Sequence, residues 1–352
     1  MKTMLAARVH GQRMLSIDTV NRPEAGDGEI RIRVKACSIC GSDKRIYNYG
    51  DFRAQYPVII GHEIAGVIDQ VGAGVTDLCV GDSVCVAPGY GCGHCRNCIK
   101  GQPTVCLNPY PSVGYAISGG FAEYMVVPKY LCTQGFVNKI PEGLPFDEAC
   151  LAEVIACAVN AHDRIHVALG DHVLILGAGP AGIIHAHLCK LYGATKVTLA
   201  QRGSLRLQMA MEKFSDVVDD TICMKEEDVA TAYAERNGGR MPDVVIVCAP
   251  SKDAQALACN VVAPLGRVNF FAGLPASDCM TTINANLLHY KEFSISGASS
   301  SKQIDNVTAL ELLSKRIIDG KKLISAKFPL KDMGEAFAFA EAKHCLKVVV
   351  EP

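Results

Sequence analysis

The sequence predicts a two-part protein, a β domain joined to an α/β domain on a doubly wound parallel sheet. Three observations lead there. The segment "VLILGAGPAG" sets glycines at 177, 179 and 182 between an apolar strand and a helix. From about residue 155, strand and helix patterns alternate, the order expected of βαβ units. Before that point the chain reads as short strands broken by glycine. At 352 residues it also exceeds what one hydrophobic core ordinarily supports.

In order along the chain, "EIRIRVKA" alternates Ile30, Ile32 and Val34 with Arg31, Arg33 and Lys35, the pattern of a half-buried strand. "EIAGVIDQVGAGV", "GDSVCVAPGYG" and "GGFAEYMVVP" are further strand and turn pieces. Together they predict an antiparallel or barrel-like β domain with long loops. "ACAVNAHDRIHV" then reads as a helix, followed by the glycine-loop segment. "KVTLA", "DVVIVCA" and "GRVNFFAG" read as strands, with helices "SLRLQMAMEKF" and "KDAQALACNVV" between them. After "EFSISGA" come a helix in "DNVTALELLSKRI" and a last strand, "LKVVVEP".

Apolar residues make up 49% and charged residues 20%, ordinary globular values. A net charge of −1 from 35 basic and 36 acidic residues lacks the basic footprint of a nucleic-acid binder. No apolar run reaches the roughly 20 residues of a membrane span, and no secretion signal is recognisable. With 17 cysteines and no signal, buried thiols and metal ligands in a reducing cytoplasm are expected, not a disulfide framework.

The glycine loop predicts dinucleotide binding. Gly177 makes the turn, Gly179 admits the pyrophosphate, and Gly182 lets helix and strand pack closely. An acidic residue about 20 positions on would hold the ribose of NAD. Gln201 fills that slot and Arg202 follows, with Arg206 beyond. A missing carboxylate and an adjacent guanidinium admit NAD or NADP and tilt the balance toward NADP.

"CGHCRNCIKGQPTVC" spaces Cys92, Cys95, Cys98 and Cys106 as C-x2-C-x2-C-x7-C. Four thiolates can close a tetrahedral zinc shell with no open position, hence a structural site; an iron–sulfur cluster is the rival. Cys40 in "CGSD", His62 and Glu63 in "IIGHEIAG", and Glu153 in "CLAEVIACAVNAH" offer a second set. One thiolate, one imidazole and one carboxylate leave a fourth position open, as a catalytic zinc requires. Spacing alone does not join these residues.

Taken together, "CGSD", "GHE-x-x-G", "VGDSV", the four-cysteine lobe, "GGFAEY" and the strand–GxGxxG–helix resemble the zinc-dependent medium-chain dehydrogenase/reductase family. The likeness spans essentially the whole chain and is closest to the polyol branch of sorbitol, threonine and sugar-alcohol-phosphate dehydrogenases. It implies a GroES-like β-barrel catalytic domain, residues 1–155 and 294–352, interrupted by a Rossmann domain, residues 156–293. It implies that Cys40 and His62 bind a catalytic zinc, with Glu63 and Glu153 bound directly or through water. The branch carries "EP" where this chain has Glu153–Val154. Ser42 matches the hydroxyl that relays the alcohol proton, whereas Arg45 stands where many relatives have a histidine. The cofactor set comprises Gly177, Gly179, Pro180, Ala181, Gly182, Gln201, Arg202, Arg206, Gly273 and Leu274.

The reaction so implied is NAD(P)-linked oxidation of a secondary alcohol, its hydroxyl held and acidified by zinc. Lys44, Arg45 and Arg53, read as a loop after the zinc cysteine, are candidates to hold an anionic substrate such as a polyol phosphate. "GASSSKQ" replaces the aromatic–Arg–Tyr motif of sorbitol dehydrogenases. A threonine-type amino-alcohol or cyclitol dehydrogenase is therefore an alternative, and a non-catalytic cofactor-binding protein is another. A homodimer or homotetramer is expected by resemblance.

Overall fold

The computed structural model describes residues 2–342 and 344–352. The chain divides into two compact units, Met1–Ala156 with Ser300–Pro352, and Cys157–Ser299. Among the described residues no helix is long and apolar enough to cross a membrane.

In the first unit the strand Ile30–Ser38 pairs antiparallel with three others: Glu63–Val71, Tyr124–Val127 and Lys347–Glu351. Ser83–Val86 and Val137–Lys139 extend the sheet on one side, and Ile324–Pro329 ends it on the other. A smaller sheet joins Met14–Asn21, Thr3–Gly11 and Val58–Ile59. Ile30, Ile32, Val34, Val84, Phe121 and Met125 belong to one core. The register sets Ser38 opposite both Glu63 and Val349, so three distant segments meet at one end of the central strand.

Three local expectations change. Arg31 is buried although the alternation puts it on the polar face, because Asp69 takes its guanidinium through two hydrogen bonds of 2.8 and 3.0 Å. Ile324–Pro329 and Lys347–Glu351 pair parallel within a mainly antiparallel sheet, joined across the helix Met333–Glu341. Lys44 and Arg45 lie on a helix, Gly41–Tyr49, not on a loop. Asp43, three residues into it, accepts the Cys40 N–H at 2.8 Å and so starts the helix.

The second unit carries six parallel strands in the spatial order Asp220–Cys223, Lys196–Gln201, His172–Leu176, Val244–Val247, Arg267–Phe270, Ser294–Gly297. Numbered along the chain this is 3-2-1-4-5-6, the doubly wound arrangement of Rossmann folds. The order reverses beside His172–Leu176, from whose end the glycine loop leaves. Leu174, Leu176, Val245 and Val247 pack in its core.

Candidate metal and cofactor sites

The end of the central strand assembles the first site. Cys40 follows that strand as the helix cap, and Glu63 opens the neighbouring strand with His62 before it. The ligand atoms of Cys40, His62 and Glu63 all lie within 4.8 Å of one another. Ser42 Oγ lies 3.2 Å from His62 Nε2. His62 Nδ1 faces Asp43 Oδ1 at 3.4 Å, too long for a well-formed hydrogen bond but close enough for charge pairing. Asp43 also accepts the Gly61 N–H at 3.1 Å, so one buried carboxylate fixes the helix start and the turn before His62.

Burial opposes charge on His62, yet Asp43 and then Cys40 outweigh it and raise its pKa well above the usual imidazole value. The pocket thus favours a cation among its donors. Soft sulfur, imidazole and carboxylate suit zinc, so these residues fit that ion.

Glu63 is also engaged on its far side. Lys347 Nζ donates to Glu63 Oε1 at 2.7 Å and makes a still closer contact to Oε2, while the Ser38 hydroxyl donates to that same oxygen. Lys347 donates to the Ile39 carbonyl at 3.2 Å as well. Glu153, buried on another helix, is not in the three-residue group; it lines a small recess with Ile64, Cys85, Cys150 and Asn306. Cys37 is fully buried, and burial first of all raises its thiol pKa.

The four sulfurs of Cys92, Cys95, Cys98 and Cys106 also fall within 4.8 Å of each other. Cys92–Cys98 and Cys95–Cys106 are 4.0 and 3.8 Å apart. A tetrahedral ion about 2.3 Å from each sulfur requires edges of about 3.8 Å. One zinc fits; sulfurs this close leave no room between them for a multi-iron cluster. Backbone N–H groups support negative sulfur: those of Cys92 and Asn108 point at Cys106 at 3.2 and 3.3 Å, and that of Cys95 at Cys92 at 3.3 Å. N–H donors from Leu107 and Cys98 pull the Cys95 thiol down to about 6.

In the second unit Gly177 has φ +123, a conformation that favours glycine. A Cβ on Gly182 would lie 1.9 Å from the Gly177 carbonyl, so helix and strand are too close for any other residue. A Cβ on Gly179 would meet only Arg206 Nη1, at 3.7 Å, leaving the approach a pyrophosphate needs. Pro180 opens the helix Pro180–Leu191, with Ala181 and Gly182 in its first turn. Gln201 Oε1 accepts the Ala178 N–H at 3.0 Å, so this amide braces the loop. Arg202 follows that strand directly, and Gly273 and Leu274 lie in the irregular segment after Arg267–Phe270. This cradle fits a dinucleotide phosphate.

Of the three basic candidates, Lys44 stands apart from the other two. Lys44 Nζ donates to the Ala340 carbonyl at 3.1 Å. Arg45 and Arg53 share Asp51, at 3.1 and 2.9 Å. Asp51 is held down at about 2; its own burial works the other way, but Arg53 and Arg45 prevail. Asp43, Ser38 and Lys347 were not singled out from sequence. Asp43 had a signal, the capping-box interval from Cys40. So did Lys347, a basic charge heading the apolar run of the strand "LKVVVE".

Residues 26–141 match the family described as "Alcohol dehydrogenase GroES-like domain" and residues 180–315 that described as "Zinc-binding dehydrogenase". Sorbitol dehydrogenase of Bombyx mori is 31% identical, over 98% of this chain and 97% of its own. Two crystal structures each cover both chains fully. The short chain alcohol dehydrogenase (rspB) of Escherichia coli CFT073, complexed with NADH, is 31% identical with a TM-score of 0.90. A zinc-binding dehydrogenase of Sinorhizobium meliloti 1021, bound to NADP, is 27% identical with a TM-score of 0.91. The chain belongs to the zinc-dependent medium-chain dehydrogenase/reductase family, in its polyol branch. That is a family of NAD(P)-linked oxidoreductases acting on alcohols.

Proposed function

We propose that this chain oxidises a secondary hydroxyl of a polyol or polyol phosphate to the ketone, reversibly. The observation that carries the reading is the meeting of Cys40, His62 and Glu63 beside the Ser42 hydroxyl. Zinc held by Cys40 and His62, with Glu63 or Glu153 completing the set, would lower the pKa of a bound hydroxyl, as it lowers that of water from about 16 to about 7. The nicotinamide of NAD(P), on the unit Cys157–Ser299, would supply the hydride acceptor.

The chain's own groups have defined tasks. Asp43 orients the imidazole of His62. Once His62 is given to a metal, the Ser42 hydroxyl is freed to take the alcohol proton. Arg45 cannot relay it further, because a guanidinium does not deprotonate, so the path beyond Ser42 runs to water. Lys347 neutralises Glu63 from behind and limits the negative charge facing the metal. Cys92, Cys95, Cys98 and Cys106 hold a structural zinc that ties down their lobe. The first unit acts as the catalytic domain and the second as the dinucleotide domain. Gln201, Arg202 and Arg206 present no carboxylate to a 2′-phosphate, which supports NADP over NAD. None of the cysteines is in a disulfide, in keeping with a reducing, cytoplasmic setting. A homodimer or homotetramer is expected from the family resemblance.

Turnover of sorbitol and other polyols, polyol phosphates, cyclitols and amino alcohols with NAD and with NADP tests the reading. Oxidation of a polyol or its phosphate is expected. Turnover of amino alcohols or cyclitols alone would shift the substrate class, and none at all would favour a non-catalytic cofactor binder. Metal analysis is expected to find about two zinc ions per chain and about one in Cys40→Ala. An unchanged count in that variant would sink the catalytic-zinc assignment.

A further inference from the structure

Of the three basic candidates, Arg53 is the one stacked on a ring that itself stands beside His62. Its guanidinium lies over the face of Tyr115, 4.3 Å from the ring centroid. Tyr115 is buried, and its ring stands beside that of His62 at 5.8 Å between centroids. The two separations together put the guanidinium within about 10 Å of the His62 ring. The Gln55 N–H donates to the Tyr115 carbonyl at 3.3 Å, tying the Arg53 loop to the segment that carries the ring.

The hydrogen bonds of Arg53 decide what it can still do. Nε and Nη2 donate to Asp51 Oδ1 and Oδ2, both at 2.9 Å, which occupies the lateral fork. The terminal fork, one N–H each from Nη1 and Nη2, has no partner among the described residues. Asp51 also accepts from Arg45 Nη2, so one carboxylate faces two guanidiniums and the trio keeps a net positive charge. The Arg53 side chain is 45% exposed. Lateral pairing, stacking and partial exposure make a cation preorganised for a planar or tetrahedral oxyanion.

We infer that Arg53, backed by Tyr115 and braced by Asp51 and Arg45, recognises an oxyanion on the alcohol substrate, a carboxylate or a phosphate, while the reacting hydroxyl lies at Cys40, His62 and Ser42. The inference rests on the dehydrogenase reading and deepens it. The substrate is an anionic hydroxy compound, a sugar acid or sugar-alcohol phosphate in chemical class, in preference to a neutral polyol. Lys44 is excluded from this role by its contact with the Ala340 carbonyl, and Arg45 serves to hold Asp51.

The test compares kcat/KM of the zinc-loaded protein for gluconate and sorbitol 6-phosphate with that for sorbitol and 2,3-butanediol, in wild type, Arg53→Ala and Arg53→Lys. Wild type is expected to prefer one of the two anions, which separates the carboxylate from the phosphate source. The anionic-to-neutral ratio should fall about 10- to 100-fold in Arg53→Ala, mainly through KM. Arg53→Lys, with charge but no fork, should lie between the two. Unchanged zinc content and melting temperature in Arg53→Lys separate recognition from folding. Preference of wild type for the neutral alcohols, or an unchanged ratio in both variants, overturns the inference alone. Turnover of no alcohol by wild type removes the dehydrogenase reading and this one with it.

Discussion

Lys347 and Glu63 form a pair whose cost and use are separable. Lys347 is fully buried; desolvation disfavours its ammonium, and the charges of Glu63 and then Cys40 more than compensate. Removing one member of such a pair leaves the other buried and unpaired, which costs about 3–5 kcal/mol. Lys347→Met should therefore lower the urea-unfolding free energy of the zinc-free protein by that amount. A loss under 1 kcal/mol, the range of an exposed ion pair, would show the pair to be solvated. The residues that were legible in the sequence at this scale were local ones. Gly182 sits five residues from the carbonyl that excludes its Cβ. Asp43 lies three residues from the N–H it caps, a local signal that went unread because Cys40 is an uncommon cap. Lys347 lies 284 positions from Glu63, and no spacing rule links them.

Among the elements, the four-cysteine lobe contains only a short helix, Arg96–Ile99, and one 3-10 turn, Pro103–Val105. Its path is held by backbone hydrogen bonds such as Gln102 N–H to the Asn97 carbonyl and by N–H···S contacts, so a zinc bound to the four sulfurs would stand in for an apolar core. Cys98→Ser should lose about one zinc per chain and open the segment 92–106 to limited proteolysis. Retention of two zinc ions with unchanged cleavage would refute a metal role for the lobe. This element was readable because its ligands fall within one short stretch. Four strands of the parallel sheet were readable too, in "VLILG", "KVTLA", "DVVIVCA" and "GRVNFFAG", from their largely apolar runs with helix patterns between them. Asp220–Cys223 ("DTIC") was not read, and Ser294–Gly297 ("SISG") joins this sheet although the expected boundary at 294 left it outside; neither is a continuous apolar run. The hairpin Thr3–Gly11 with Met14–Asn21 was not read. It turns at Gln12 and Arg13, without the Asn-Gly or Gly signature of a tight turn, and Arg13 takes φ 56. The helix Gly41–Tyr49 was hidden for another reason: its cap is Cys40, an uncommon capping residue.

Over the molecule as a whole, two buried imidazoles add to the response to acid. His162 Nε2 and His185 Nδ1 meet at 3.2 Å inside the second unit, with His162 stacked on Tyr192 and His185 edge-on to Phe271. Their outer nitrogens, His162 Nδ1 and His185 Nε2, are buried without a hydrogen-bond partner among the described residues. Burial lowers His162 to about 3 against a weaker opposite pull from Asp163. Burial, and then the neighbouring His162, hold His185 well below the usual value. Both are thus neutral in the folded protein and take up protons only on unfolding, near the free imidazole value of about 6.5. Groups depressed in this way contribute stability that is whole above that pH and is lost as pH falls from about 6.5 toward 3, by up to about 1.4 kcal/mol per pH unit for each imidazole. His62 in the first unit has the opposite sign in the metal-free protein, since its raised pKa adds stability at low pH that fades as pH rises. With zinc bound as proposed, His62 would be neutral on the metal and the protein would lack that offset. Its melting temperature should fall steadily below pH 6, and His162→Leu combined with His185→Leu should flatten the slope even at lower absolute stability. Scanning calorimetry from pH 7.5 to 4.5 at fixed zinc checks this, and an equal slope in wild type and double variant would assign the acid sensitivity to other groups.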